Sequence, residues 1–124
     1  MTELTLSPLN HTWLLDLDGT IVKHNGYKLD GHDVLLDGAE DFLRNLPEDD
    51  LIVFITSRTP ECKGFTESFL AKSNIRFDHI IYNAPFGERI LVNDRKPSGL
   101  ATAAAVNVDR DGAMNLTVRI DEEL

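Results

Sequence analysis

A chain of 124 residues, 42% apolar and with a formal net charge of −9, can bury one sizeable core but not two, so residues 1–124 read as a single globular domain. Polyanions are drawn to clustered Lys and Arg, so this acidic balance argues against a nucleic-acid or anionic-membrane partner; a small anionic metabolite remains compatible, because its site needs only a local positive potential. No apolar run reaches membrane-spanning length, Met1–Asn10 has no basic, apolar leader, and the single cysteine, Cys62, reads as a small buried hydrophobe, which together give the expectation of a cytoplasmic protein.

In chain order, Thr2–Leu9 reads as a short leading strand that Pro8 interrupts. The first main strand, about 12–17, runs through Trp13-Leu14-Leu15 into Asp16-Leu17-Asp18-Gly19-Thr20. Side chains alternate in an extended chain, so Asp16 and Asp18 point to one side and Leu17 points into the core. Two carboxylates so close repel each other unless a divalent cation neutralises them or one keeps its proton. The plain alternative is a structural turn, since Asp-Gly is ordinary turn punctuation. A helix-loop-helix calcium loop is excluded, because Tyr27 would fall at its twelfth position.

Asn25-Gly26 between two short runs predicts a β-hairpin flap beside these carboxylates, with Lys23, His24 and Lys28 either facing an anionic ligand or solvated. Asp37 and Glu40 form a capping-box pattern for a helix over about 38–46, with Ala39, Phe42, Leu43 and Leu46 on one face and Pro47 ending it. Leu51–Ile55 is apolar throughout, as expected of a central parallel strand covered on both faces. Thr59 and Pro60 open a second helix whose stripe is Cys62, Phe65, Phe69 and Leu70, with Asn74 as its terminator.

Further apolar runs at Ile80–Tyr82, Ile90–Val92 and Ala104–Val108, alternating with helices, predict an α/β fold. One connection strains this reading. The five residues between Asn83 and Arg89 reach about 20 Å fully extended, while a parallel crossover normally needs a dozen or more residues. The expectation is a short edge strand followed by a bare extended link. Leu116–Ile120 reads as a final edge strand and Asp109-Arg110-Asp111-Gly112 as a turn.

Asp16-Leu17-Asp18-Gly19-Thr20 resembles the first motif of the haloacid dehalogenase-like hydrolases, an Asp-x-Asp-Gly-Thr at the end of the first strand. Val53-Phe54-Ile55-Thr56-Ser57-Arg58 resembles the second motif, and Ile90-Leu91-Val92-Asn93-Asp94-Arg95 the fourth. They occur in the right order, and the resemblance spans about residues 12–108. It implies a Rossmann-like, mostly parallel five-stranded sheet with helices on both faces, a β-hairpin flap after the first strand and no cap domain. The site is then open, served by the flap, or roofed by a neighbouring subunit of a homo-oligomer.

The resemblance further implies a magnesium-dependent phosphatase. Phosphomonoester hydrolysis needs charge neutralisation, an in-line nucleophile and a proton donor. By the family's pattern Asp16 is the nucleophile that forms an aspartyl-phosphate, and Asp18 protonates the leaving oxygen and then activates water. Thr56 donates to the phosphoryl oxygens, while Gly19, Thr20, Ser57, Arg58 and Arg95 contribute to substrate binding. Mg2+ is ligated by Asp16, the Asp18 carbonyl and Asp94, with Asn93 standing where many relatives carry an acid. The family's third-motif lysine has no counterpart between Ser73 and Val92. Its expected substitute is Lys96, then Lys63; Arg89 ranks lower, because the start of its strand lies about 13 Å from the catalytic end. The expected substrate is a small phosphorylated metabolite, a sugar phosphate first. The competing reading is a phosphate-binding or assembly module that has lost the chemistry with the lysine.

Overall fold

The structure, a computed structural model, describes residues 2–124. It is a small α/β protein whose strands all pair in parallel, distributed over two sheets. β1 (Thr2–Leu6) pairs with β5 (Leu116–Ile120), Thr2 opposite Leu116. β2 (Thr12–Asp16), β3 (Leu51–Ile55) and β4 (His79–Ile81) form the second sheet in that order, with Asp16 opposite Ile55 and Ile55 opposite Ile81. The single five-stranded sheet expected from the sequence is thus divided into three strands and two.

β3 is central, and Ile52, Val53 and Phe54 are buried along it, the pattern of a strand covered on both faces. Around it gather Leu17 and Ile21 from the loop after β2, Ala39 and Leu43 from α2 (Ala39–Arg44), and Leu70 from α3 (Lys63–Lys72). Both helices follow their strands as expected, but their starts differ. Gly38, with φ of 79°, stands at the head of α2, which lacks a side-chain cap, so the Asp37/Glu40 capping box does not form. A Cβ at Gly38 would lie 2.7 Å from the Met114 carbonyl oxygen, and the Met114 amide donates to Asp37, so close approach of the 114 segment selects this glycine. A 3₁₀ turn at Pro60–Cys62 precedes α3, and Asn74 ends it in the left-handed region. Thr66 and Leu70 are the buried positions of α3, while Phe65 is half exposed.

Two further expectations are corrected. The Asn25-Gly26 pair makes no hairpin; Asn25 is left-handed and leads into a single helical turn, α1 (Gly26–Leu29). The chain after β2 folds back through bridges of Val22 with Asp18 and Leu35 instead. Ile90–Val92 is not a strand, and Ile90 and Val92 are 84% and 88% exposed. From Tyr82 to Asn115 the chain is irregular apart from isolated turns, including the expected one at Arg110–Asp111. The short link after Asn83 brings Arg89 to the end of β2, but no helix covers the run that follows, and a parallel strand needs cover on both faces. Among the described residues no helix is long and apolar enough to cross a membrane.

Candidate active site

The carboxyl end of β2 carries the site. Asp16 is the last residue of the strand, and Leu17, 1% exposed, anchors the turn beneath it. The amides of Ile21 and Val22 donate to the Leu17 carbonyl, and Gly19 donates to Val22. Gly19 has φ of 86°, and a Cβ there would meet Arg110 Cγ at 3.0 Å, so conformation and space both call for glycine. Asp16, Asp18, Gly19, Thr20, Val108 and Arg110 line a cavity of about 230 Å³. Both carboxylates thus line one cavity, as expected from their spacing, although Asp18 lies in the turn two residues beyond the end of β2.

Each carboxylate has its own cation. Asp16 Oδ1 accepts from Arg89 Nη1 at 2.9 Å, and its Oδ2 accepts from the Thr20 hydroxyl at 3.0 Å. Both members of the Asp16–Arg89 pair are 38% exposed, so this contact is open to ligand and solvent. Asp18 lies deeper. Its Oδ2 accepts from the Thr56 hydroxyl at 3.0 Å, and Arg58 reaches its Oδ1 through Nη2 at 2.8 Å. Thr56 is fully buried and also accepts from the Arg58 amide, so it orients Asp18 and the turn after β3 together.

Arg58 is only 5% exposed and uses all five of its N–H donors. Nε is shared by the two oxygens of Asp18, Nη1 donates to Asp33 and Thr66, and Nη2 donates to Asp18 and Asp33. The Tyr27 ring lies 4.3 Å and the Phe65 ring 5.8 Å from its Cζ. Burial by itself would lower the Arg58 pKa, but its hydrogen bonds to Asp33 and Asp18, followed by their charges, outweigh it and hold the guanidinium above its ordinary value. With every donor taken, Arg58 organises the site internally and has none left for a substrate.

The other expected site residues are spread over the irregular segment. Ser57, Asn93, Asp94 and Lys96 line the broad cleft that also contains Asp16 and Asp18. Asn93 donates to the Thr102 hydroxyl, and that hydroxyl in turn donates to the Asp94 carbonyl. Arg95 donates to the Gly99 carbonyl. Lys63 pairs with Glu67 on the exposed face of α3. Lys96 closes the 96–100 turn through its backbone, and no ion pair of its ammonium group occurs among the described residues. The cation that does reach Asp16 is Arg89. The low rank given to Arg89 by sequence was a distance measured along a strand that does not form.

Asp16 and the Asp18 carbonyl are hard oxygen donors suited to magnesium, and the engaged Asp16 oxygens each keep a lone pair. No group of three or more His, Cys, Asp or Glu able to hold a metal ion occurs among the described residues. Asp94 stands in the same broad cleft as Asp16 and Asp18. Three residues of the site had been passed over in the sequence: Asp33, Tyr27 as a stacking ring, and Arg110. Asp33 lies in a polar stretch without periodicity, 25 residues from its partner, so no local signal marked it. No family model matches this chain, and neither a characterised protein nor a solved structure is detectably similar to it.

Proposed function

We propose that the protein is a phosphatase of the haloacid dehalogenase-like type, acting on a small phosphomonoester, with a sugar phosphate as the first choice. The observation that carries this reading is the pairing at the end of β2: an accessible aspartate with a partly exposed cation, Asp16 with Arg89, beside a second, oriented aspartate, Asp18 with Thr56 and Arg58. In this mechanism an incoming phosphoryl group draws Arg89 from Asp16 Oδ1 onto its own oxygens. The freed Asp16 oxygen bonds to phosphorus as the bond from phosphorus to the leaving oxygen breaks, and Asp18, in the protonated form that this step requires, gives that oxygen its proton. Asp18 then accepts a proton from water as the water oxygen bonds to phosphorus and the bond from phosphorus to Asp16 breaks, which releases phosphate and restores the Asp16 carboxylate and the protonated Asp18.

Arg89 takes the part expected of Lys96, and Arg110, across the cavity, adds positive potential. Magnesium held by Asp16, the Asp18 carbonyl and Asp94 or Asn93 supplies charge neutralisation for the phosphate dianion when bound. The fine architecture implied by the resemblance, a Rossmann-like sheet without a cap, fits a site open to the broad cleft. A non-catalytic phosphate-binding module on the same scaffold is the second reading; it is favoured by the missing lysine. A screen of sugar phosphates, nucleotides and phospholipid head groups, with magnesium or with chelator, separates the two. Magnesium-dependent release of phosphate is the expected result. Saturable binding of inorganic phosphate without turnover of any monoester selects the module.

A further inference from the structure

Asp33 is 6% exposed, and its only polar partner among the described residues is the Arg58 guanidinium, at 2.7 Å and 3.0 Å. An isolated Asp18–Arg58 pair would already satisfy Asp18, and a buried ion pair is a poor device for stability, because apolar residues of the same volume do as well or better. A second buried carboxylate on the same guanidinium therefore needs another reason. The geometry provides one. Asp33 takes the outer edge of the guanidinium fork, Nη1 and Nη2, while Asp18 takes the inner edge, Nε and Nη2. Thr66 fixes the plane from α3, and Tyr27 covers its face. Three separate parts of the chain, the 27–33 segment, the turn after β3 and α3, thus converge on one planar group whose remaining edge sets the position of Asp18.

We propose that Asp33 is a positioning residue for Asp18, acting through Arg58. It holds the fork so that Asp18 keeps its Thr56 contact and its place at the cavity, and it divides the Arg58 charge between two carboxylates, so that Asp18 is not locked as one half of a closed ion pair. This deepens the phosphatase reading and rests on it where turnover is concerned; the placement of Asp18 itself does not.

Asp33→Asn keeps size and removes charge, and Asp30→Asn, which breaks the exposed Lys23–Asp30 pair in the same segment, is the control. With p-nitrophenyl phosphate as substrate, Asp33→Asn is expected to lower kcat by about tenfold or more with KM changed by less than about threefold, while Asp30→Asn leaves both within about twofold. Crystal structures of the wild type and Asp33→Asn give a reading independent of turnover: the Arg58 fork turned and the Asp18 hydrogen bond to Thr56 lost. Solvent exchange of the Arg58 Nε–H by nuclear magnetic resonance should quicken by about tenfold. Wild-type kcat in Asp33→Asn, or an unmoved Asp18 with unaltered Arg58 exchange, overturns the proposal. A wild type inert to every phosphomonoester overturns the phosphatase reading alone, and the structures and the exchange rate still decide the role of Asp33. If Asp33→Asn does not fold, Asp33→Glu carries the same test, with a displaced Asp18 expected and an undisplaced one overturning it.

Discussion

At the amino end of the three-stranded sheet Asp50 is 3% exposed and accepts from the His11 amide at 3.0 Å and the Trp13 indole at 2.9 Å, while Asp78 accepts from the Ile52 amide at 2.8 Å. At the carboxyl end Asp18 and Asp33 are held by a guanidinium, and Asp16 meets another at the surface. Both ends place aspartates where strands stop, but the donors differ. Backbone and indole N–H groups fix strand ends, and Arg76 reinforces the same corner through the Asp50 and Pro47 carbonyls and a longer contact, 3.5 Å, with Asp78. Arg58 is buried with all its donors taken, whereas the Arg89 guanidinium at the carboxyl end is 38% exposed and can exchange one anion for another.

The comparison is broken most severely at Asp16. Asp16→Asn should lower turnover by about three orders of magnitude or more, while the melting temperature holds or rises, since one of two crowded carboxylates is gone. Steady-state kinetics with thermal unfolding checks both halves, and an active variant would remove the covalent route. Next comes Arg89→Ala, expected to reduce kcat/KM by about a hundredfold, the usual cost of losing a fixed cation at a developing phosphoryl charge. Lys96→Ala should stay within about threefold, and the reverse ranking would return the role to Lys96.

The amino end should answer in the opposite currency. Asp50→Ala leaves the His11 amide and the Trp13 indole without their acceptor, at a cost of about 2 kcal/mol and a fall in melting temperature of about 5–10 °C, with kcat of the folded protein unchanged. A loss of kcat in that variant would erase the distinction between the two ends. The smallest effect lies at Tyr82, whose hydroxyl donates to Glu67 at 2.9 Å. Burial first, then the bond to Glu67 and its charge, raise the Tyr82 pKa above its ordinary value near 10. A folded-state pKa that is raised contributes stability below the unfolded value and loses it as pH climbs toward the folded one, so stability falls above about pH 10. Tyr82→Phe should flatten that alkaline limb in denaturant titrations and leave neutral pH almost unaffected.

Much of this was legible in the sequence, for identifiable reasons. The strand Leu51–Ile55 announced itself by continuous apolar residues, and the Asp16/Asp18 side by period-two alternation; these are local patterns tied to buried backbone. Leu116–Ile120 is likewise a strand, although its partner, β1, could not be read from either segment. The failures have the opposite character. Ile90–Val92 is as apolar as a strand, yet pairing depends on cover from elsewhere, which the short link does not supply. Asp33 and Arg89 act through contacts with Arg58 and Asp16 that are 25 and 73 residues distant in sequence, and no spacing rule carries that far. The resemblance of Val53–Arg58 to the second motif implies a substrate ligand at Arg58; its burial and five filled donors are visible only once Asp33 arrives.

The parallel ribbon of β1 and β5 joins residues 114 positions apart in the chain. Closing so long a loop costs about 4 kcal/mol beyond a constant, before any pairing is gained. During synthesis, Thr2–Leu6 therefore waits without a partner while β2, β3 and β4, all within residues 12–81, can already assemble. The ribbon should therefore form last and part first, with its amides exchanging with solvent well ahead of those in β3, an order that native-state hydrogen exchange checks. Met114 sits just before β5, and its amide bond to Asp37 ties the late ribbon to the head of α2. On that order the loop that carries Arg110, whose neighbour Asp111 donates its amide to the Gly19 carbonyl, should settle against the Asp16–Thr20 turn only after the rest of the domain is made.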